Sequence, residues 1–155
     1  MEVRPLEARD RGAWEALYAG YAEFYRLPLT AERAERLWDW LLDPDHPVEG
    51  RLATVRGGGG AVGLAHFRDM PSPLRAQTLG FLDDLFVAPE ARGGRVAEAL
   101  LEAIAEIGRA RGWPCYRWIT RENNFRARGL YERVAERTDW VTYEYPCRGV
   151  GSPER

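Results

Sequence analysis

Apolar positions change their period several times along the chain, and each change marks an element. Val3 to Leu6 reads as a short strand, after which Trp14, Leu17, Tyr18, Tyr21 and Phe24 recur at helical spacing. Pro28 interrupts, Thr30 offers an N-cap, and Leu37, Trp38 and Leu41 form a second helical stripe that ends before Pro44. RLATVR, residues 51–56, alternates, and AVGLAHFR, residues 61–68, is a second β-like run, so with Gly57–Gly60 between them they predict a hairpin. TLGFLDDLFV, residues 78–87, is the most β-like stretch and carries two adjacent acids, which a plainly buried strand does not need.

Pro89 ends that strand, and Val96, Ala99, Leu100, Ala103, Ile104 and Ile107 then make a 3.6-residue face running up to Gly112. PCYRWIT, residues 114–120, predicts another strand. Asn124 opens a helix bearing Leu130, Tyr131 and Val134, and WVTYEY, residues 140–145, alternates as a last strand. The pattern as a whole predicts an α/β (α+β) domain over 1–145, followed by a loosely ordered tail at 146–155. Its sheet is mixed and mostly antiparallel, of about six to seven strands flanked by about four helices.

Composition narrows the function classes. The 155 residues are 45% hydrophobic, enough for one sizeable core. The 22 basic residues against 24 acidic ones leave a net charge of -2, which argues against a nucleic-acid footprint. All the basic residues are arginine, which excludes a phosphate-loop or Schiff-base lysine. Two cysteines, Cys115 and Cys147, are too few for a disulfide framework and have no zinc spacing, and no apolar run reaches membrane-span length. The expectation is a cytoplasmic protein with no signal peptide, no membrane contact and no metal.

Gly58, Gly60 and Gly63 match G-x-G-x-x-G, with Asp83 about twenty residues on. The context is wrong for a dinucleotide site, because a phosphate-binding turn must open a helix and Gly63 runs on into LAHFRD. The stretch LDDLFVAPEARGGRVAEALL, residues 82–101, has the right context: strand, Gly-rich turn, helix start. Helix N-terminal amides and the dipole suit a pyrophosphate there, with Gly93 and Gly94 allowing close approach and Arg92 and Arg95 adding donors.

This stretch resembles motif A of the GNAT superfamily of acyl-CoA-dependent N-acyltransferases, V-x-P-x-x-R-G-x-G-x-G/A, through Val87, Pro89, Arg92, Gly93 and Ala97. Arg95 replaces the usual central glycine. Asn124, Ala127, Leu130 and Tyr131 match the family's N-x-x-A-x-x-L-Y helix, and the order of elements matches its topology. LDDLFV and the segment 119–145 look similar to its polyamine- and histone-acetylating branch.

The resemblance implies transfer of acetyl from acetyl-CoA to a primary amine of a small molecule or polyamine, by direct attack in a ternary complex. The alternatives are a protein or peptide N-acetyltransferase and a non-catalytic acyl-CoA-binding module. It places Asp83 as base, Asp84 in a substrate-facing or structural position, Tyr131 as acid toward the departing CoA thiolate, and Asn124 on the cofactor. The backbone of Leu85, Phe86 and Val87 would hold pantetheine, and the amides of Arg92, Gly93, Gly94, Arg95, Val96 and Ala97 the pyrophosphate. A homodimer is also compatible with it.

An amine with a pKa near ~10 must lose a proton before attacking, which a carboxylate can take. Asp83 and Asp84 face opposite sides on an ideal strand, unless a bulge intervenes. Tyr18, Tyr21, Glu23 and Tyr25, with Trp38 and Trp118, offer ring faces and a carboxylate for a cationic acceptor, Tyr21 foremost. His46 and His66 read as structural, and Cys115 as a small buried hydrophobe.

Overall fold

A computed structural model describes residues 1–57 and 59–147. It divides into two compact units, Met1–Ile119 and a second beginning at Thr120. The first holds five strands, β1 (Glu2–Pro5), β2 (Val48–Thr54), β3 (Ala61–Ser72), β4 (Gln77–Val87) and β5 (Tyr116–Arg117), and three α-helices, α1 (Arg11–Tyr25), α2 (Ala31–Leu42) and α3 (Val96–Arg111). The second holds α4 (Phe125–Val134).

The strands lie in the order β1-β2-β3-β4-β5, antiparallel throughout except where β5 pairs parallel with β4. A parallel pair needs a crossover, and α3 provides it. The expected hairpin is β2–β3, with Leu52 opposite Leu64; Gly58 at its tip lies outside the described residues.

Helices cover both faces of the sheet. On one face Trp14, Leu17, Ala34 and Trp38 of α1 and α2 pack on Leu52, Leu64, Phe86 and Ala88. On the other, Val96, Leu100 and Ile104 of α3 are buried. Gly63 to Phe67 are consequently buried one after another, as a doubly covered strand requires. Gly63 makes the α3 contact close: a Cβ there would lie 2.9 Å from Val96 Cγ1 and 3.0 Å from the Phe86 carbonyl oxygen. At the start of α2, Thr30 caps as expected, its Oγ1 accepting from the Arg33 amide at 3.3 Å.

Among the described residues the sheet has five strands rather than six to seven. The strand expected over 114–120 pairs only at Tyr116 and Arg117, and 140–145 forms none, with Trp140, Val141, Tyr143 and Tyr145 all exposed. Alternation fits a pleated surface but becomes a strand only against a partner edge. Cys115 is exposed rather than buried, being just outside β5. Of the expected tail, only Pro146 and Cys147 are described. Among the described residues no helix is long and apolar enough to cross a membrane, and no group of three or more metal-ligating side chains forms.

Candidate active site

The two acids of β4 sit at a break in the β3–β4 ladder. His66 pairs with Asp84 and Phe67 with Leu82, so Asp83 is an extra residue with no partner in the register. This bulge brings both carboxylates to one face. Asp83 meets Arg68, whose Nε lies 3.1 Å from Oδ2 and 3.3 Å from Oδ1, and Asp84 Oδ2 lies 2.8 Å from His66 Nδ1. Arg68 and His66 are two apart on β3 and share a face, so the opposite-sides expectation for an ideal strand does not hold here.

That face lies under α1. Trp14, Tyr18, Tyr21 and Tyr25 fall on one stripe of the helix at i,i+3 and i,i+4 spacing. Trp14 stacks on Tyr18 at 5.4 Å and Tyr18 on Tyr21 at 5.6 Å, while Tyr18 meets the His66 ring edge-on at 5.1 Å. Trp14 Nε1 donates to His66 Nε2 at 3.0 Å. An indole N–H only donates, so His66 Nε2 carries the lone pair and Nδ1 carries the proton, which points at Asp84.

The electrostatics of the acids diverge. Burial pushes the Asp83 carboxyl above its ordinary value and the Asp84 charge adds to this, against the pull of Arg68. Burial also acts to raise Asp84, but the hydrogen bond and electrostatic attraction of His66, with hydrogen bonds from Tyr21 and Tyr18, outweigh it and hold the carboxyl below the ordinary range. The Tyr18 and Tyr21 phenols rise in turn, through burial and the adjacent Asp84 charge.

Beside this face β4 has an unpaired edge. β5 covers only Gly80 and Phe81, so among the described residues no strand pairs with that edge from Leu82 to Val87. The Ala88 amide donates to the Val62 carbonyl at 2.9 Å, and backbone alternation then directs Phe86 toward β3 but Leu85 and Val87 toward the open edge. Of the open-edge groups, the Val87 carbonyl accepts from Arg92 Nε at 3.0 Å.

Past β4, Gly93 has φ +88, with nothing near the position of a Cβ. Arg95 is the N-cap of α3, contributes no side-chain cap, and turns its exposed guanidinium to Glu98 at 3.0 Å. Gly94 and Val96 flank it, Val96 being buried, and Ala97 follows in the first turn of α3. An amide-bearing edge leading to an uncapped helix start suits a ligand that carries both amides and a pyrophosphate.

The chain belongs to the Acetyltransferase (GNAT) family. The family model matches residues 14–135. The sequence is 30% identical over 142 residues to the D-amino-acid N-acetyltransferase HPA3 of Saccharomyces cerevisiae, spanning 92% of this chain and 88% of that one. Among solved structures it resembles the ribosomal-protein-alanine N-acetyltransferase of Brucella melitensis, with TM-score 0.76 and 28% identity over 94% of this chain and 99% of that one. The aminoglycoside N-acetyltransferase AAC(6')-Iy in complex with CoA shares the fold, with TM-score 0.81 and 18% identity over 95% of each chain. The protein is an acetyl-CoA-dependent GNAT N-acetyltransferase.

The first unit of this acetyltransferase brings Tyr21, Asp83 and Asp84 together, with Leu85, Phe86 and Val87 next along β4 and 92–97 beyond. In the second unit Asn124 is the N-cap of α4, but its Nδ2 donates to Thr120 Oγ1 at 3.0 Å instead of capping. Tyr131 lies on α4, its carbonyl accepting from the Ala135 amide at 2.8 Å. His66 was missed by sequence reasoning, since its partners are 52 and 18 residues away; the sole local signal was a histidine inside a strongly apolar strand. Trp38 belongs to the core, and Glu23 lines a cavity of about 580 Å³ formed by α1, the start of β3, Phe86 and the residues after β4 as far as Arg92, which includes neither acid.

Proposed function

We propose that residues 1–145 act as one catalytic domain that acetylates a primary amine of a small molecule, a polyamine or another compact cationic amine. The observation that carries this reading is the bulge at Asp83, which sets two carboxylates with opposite pKa shifts on one aromatic-roofed face beside the open edge of β4. Acetyl-CoA supplies an activated acetyl thioester when bound. Leu85 and Val87 would hold its pantetheine arm at the open edge, and the amides of 92–97 its pyrophosphate.

The acceptor amine arrives protonated. Asp83, with its raised pKa and partial exposure, accepts the proton at a carboxylate oxygen, and the neutral amine then takes the acetyl group directly. Asp84 and Tyr21 position the ammonium before that step. Tyr131 serves as proton donor to the leaving thiolate and Asn124 as a cofactor contact, both on the strength of the N-x-x-A-x-x-L-Y match. Two exposed free cysteines are compatible with a reducing cytoplasm.

A second reading is an amino acid as acceptor. Arg68, half-exposed beside Asp83, offers a guanidinium for a carboxylate, and HPA3 is named for D-amino acids. The deciding experiment measures CoA release with diamines, monoamines, D- and L-amino acids and N-terminal peptides. Turnover of free amines, lost in Asp83→Asn and Tyr131→Phe, supports the main reading. Turnover restricted to amino acids or to peptides replaces it.

A further inference from the structure

His66 stands outside the roles assigned so far, yet it is the residue on which the buried polar network turns. Its side chain is 1% exposed, and both ring nitrogens are committed: Nε2 accepts from Trp14 at 3.0 Å and Nδ1 faces Asp84 at 2.8 Å. A core imidazole that served packing alone would need one partner for each nitrogen, of any kind. Here the two partners differ in what they impose. Trp14 has a single N–H and no acceptor, so it dictates the tautomer, and the tautomer delivers a donor to a carboxylate.

The consequence falls on Asp84. A carboxylate with an 18% exposed side chain takes up a proton unless hydrogen bonds hold its charged form. The donors that reach it are the Tyr18 and Tyr21 phenols and an imidazole that is neutral in this geometry, because its Nε2 must keep a lone pair to accept from Trp14. Arg68, two residues along β3 from His66, is bonded to Asp83 instead. The charge on Asp84 is therefore stabilised and oriented without being cancelled. A carboxylate offers about four acceptor positions, so three donors leave room for one more.

Resting on the amine-acetyltransferase reading above, we infer that His66 is a positioning residue for the acceptor. Fixed by Trp14, it holds Asp84 as an oriented and uncompensated carboxylate, and that carboxylate receives the acceptor's ammonium group. His66 touches neither acceptor nor acetyl-CoA. Its effect is to keep the anion in place before the acceptor binds, so its loss acts on acceptor binding rather than on acetyl-CoA binding. The site favours acceptors whose ammonium is free and unbranched enough to pass between the tyrosines of α1 and the bulge of β4.

The test is steady-state kinetics on the full chain, using 1,4-diaminobutane, n-butylamine and D-alanine as acceptors and varying acetyl-CoA separately. His66→Leu removes the donor, and His66→Asn places an amide N–H near the Nδ1 position. Loss of a hydrogen bond to a charged group predicts an acceptor KM raised about tenfold or more in His66→Leu. The acetyl-CoA KM stays at the wild-type value, and His66→Asn recovers most of the loss. Should His66→Leu fail to fold, Tyr21→Phe, which removes another donor from Asp84, must raise the acceptor KM in the same selective way. Long-range ¹H–¹⁵N spectra of the imidazole, expected to report an Nδ1–H tautomer, read the geometry without turnover. An acceptor KM unmoved in the folded variants, an Asn variant no better than Leu, or an Nε2–H tautomer overturns the inference while leaving the wild-type activity intact. Absence of turnover with every amine by the wild type fails the functional reading and this inference with it.

Discussion

Gly63→Ala tests whether close packing between β3 and the start of α3 supports the proposed acetyl-CoA end of the site. The added Cβ would lie 2.9 Å from Val96 Cγ1, 3.0 Å from the Phe86 carbonyl oxygen and 3.2 Å from Leu100 Cδ1. Val96 is β-branched and stiff in a helix, and the Phe86 carbonyl belongs to backbone held in the β3–β4 ladder, so neither yields cheaply. Overpacking of this kind costs about 1–3 kcal/mol. Replacing a strand glycine returns about 0.5–1 kcal/mol of backbone entropy. The net is a destabilisation centred on about 1 kcal/mol and at most about 2.5 kcal/mol, or roughly 2–4 °C in melting temperature at the central value for a chain of this size.

The displacement has a direction. Val96 opens α3 and Phe86 lies one residue before the end of β4, so the change pushes apart the two elements that frame the 92–95 turn. The acetyl-CoA KM should rise while the acceptor KM changes little. Thermal unfolding and initial-rate kinetics measure both. Gly60→Ala is the control, because nothing lies within 4 Å of the position its Cβ would take. A Gly63→Ala protein melting at or above the wild-type temperature with an unchanged acetyl-CoA KM would refute the reasoning.

The two acids should respond to neutralisation with opposite signs. Asp84 is held below its ordinary pKa, so its contribution to stability is complete above the unfolded value of about 3.9 and is lost as pH falls through the depressed folded value. Asp84→Asn should therefore cost about 1–3 kcal/mol at pH 7, with the difference closing in acid. Asp83 is raised, so folding favours its protonated form, and Asp83→Asn should stabilise the protein at pH 7 with the gain vanishing below its folded pKa; denaturant titrations across pH 3–8, a range chosen to bracket about 3.9, check both signs. Gly93→Ala meets no neighbour but forces a side chain to φ +88, which predicts a loss of about 1 kcal/mol in unfolding free energy together with weaker acetyl-CoA binding by calorimetry.

Much of this could be read from the chain because its signals are local. The α3 face recurs at Val96, Leu100 and Ile104, and Thr30 caps α2 through its own hydroxyl; neither depends on distant residues. The V-x-P-x-x-R-G turn is contiguous, so motif and geometry coincide there. The bulge was only a contingency in the sequence, since an extra residue is defined by its partner strand and nothing within LDDLFV distinguishes Asp83 from a paired residue. The Trp14–His66–Asp84 line joins α1, β3 and β4, three segments that only the tertiary fold brings together. The expected strand at 140–145 failed for the complementary reason: a strand requires an edge, which no alternation of its own residues can specify.

Counted along the ladder, β4 supplies eleven residues where β3 supplies ten. Deleting Asp83 would leave Leu82 next to Asp84, opposite Phe67 and His66, in the ordinary alternation of a regular strand. Every other pairing would stand. The sheet thus has no need of this residue, and the second carboxylate is carried as surplus strand length. Asp84, tied through His66 to Trp14, is part of the architecture, whereas Asp83 is detachable from it. The fold and one of its two acids can therefore vary independently, so this strand can lose or regain an acid by a change of a single residue in length.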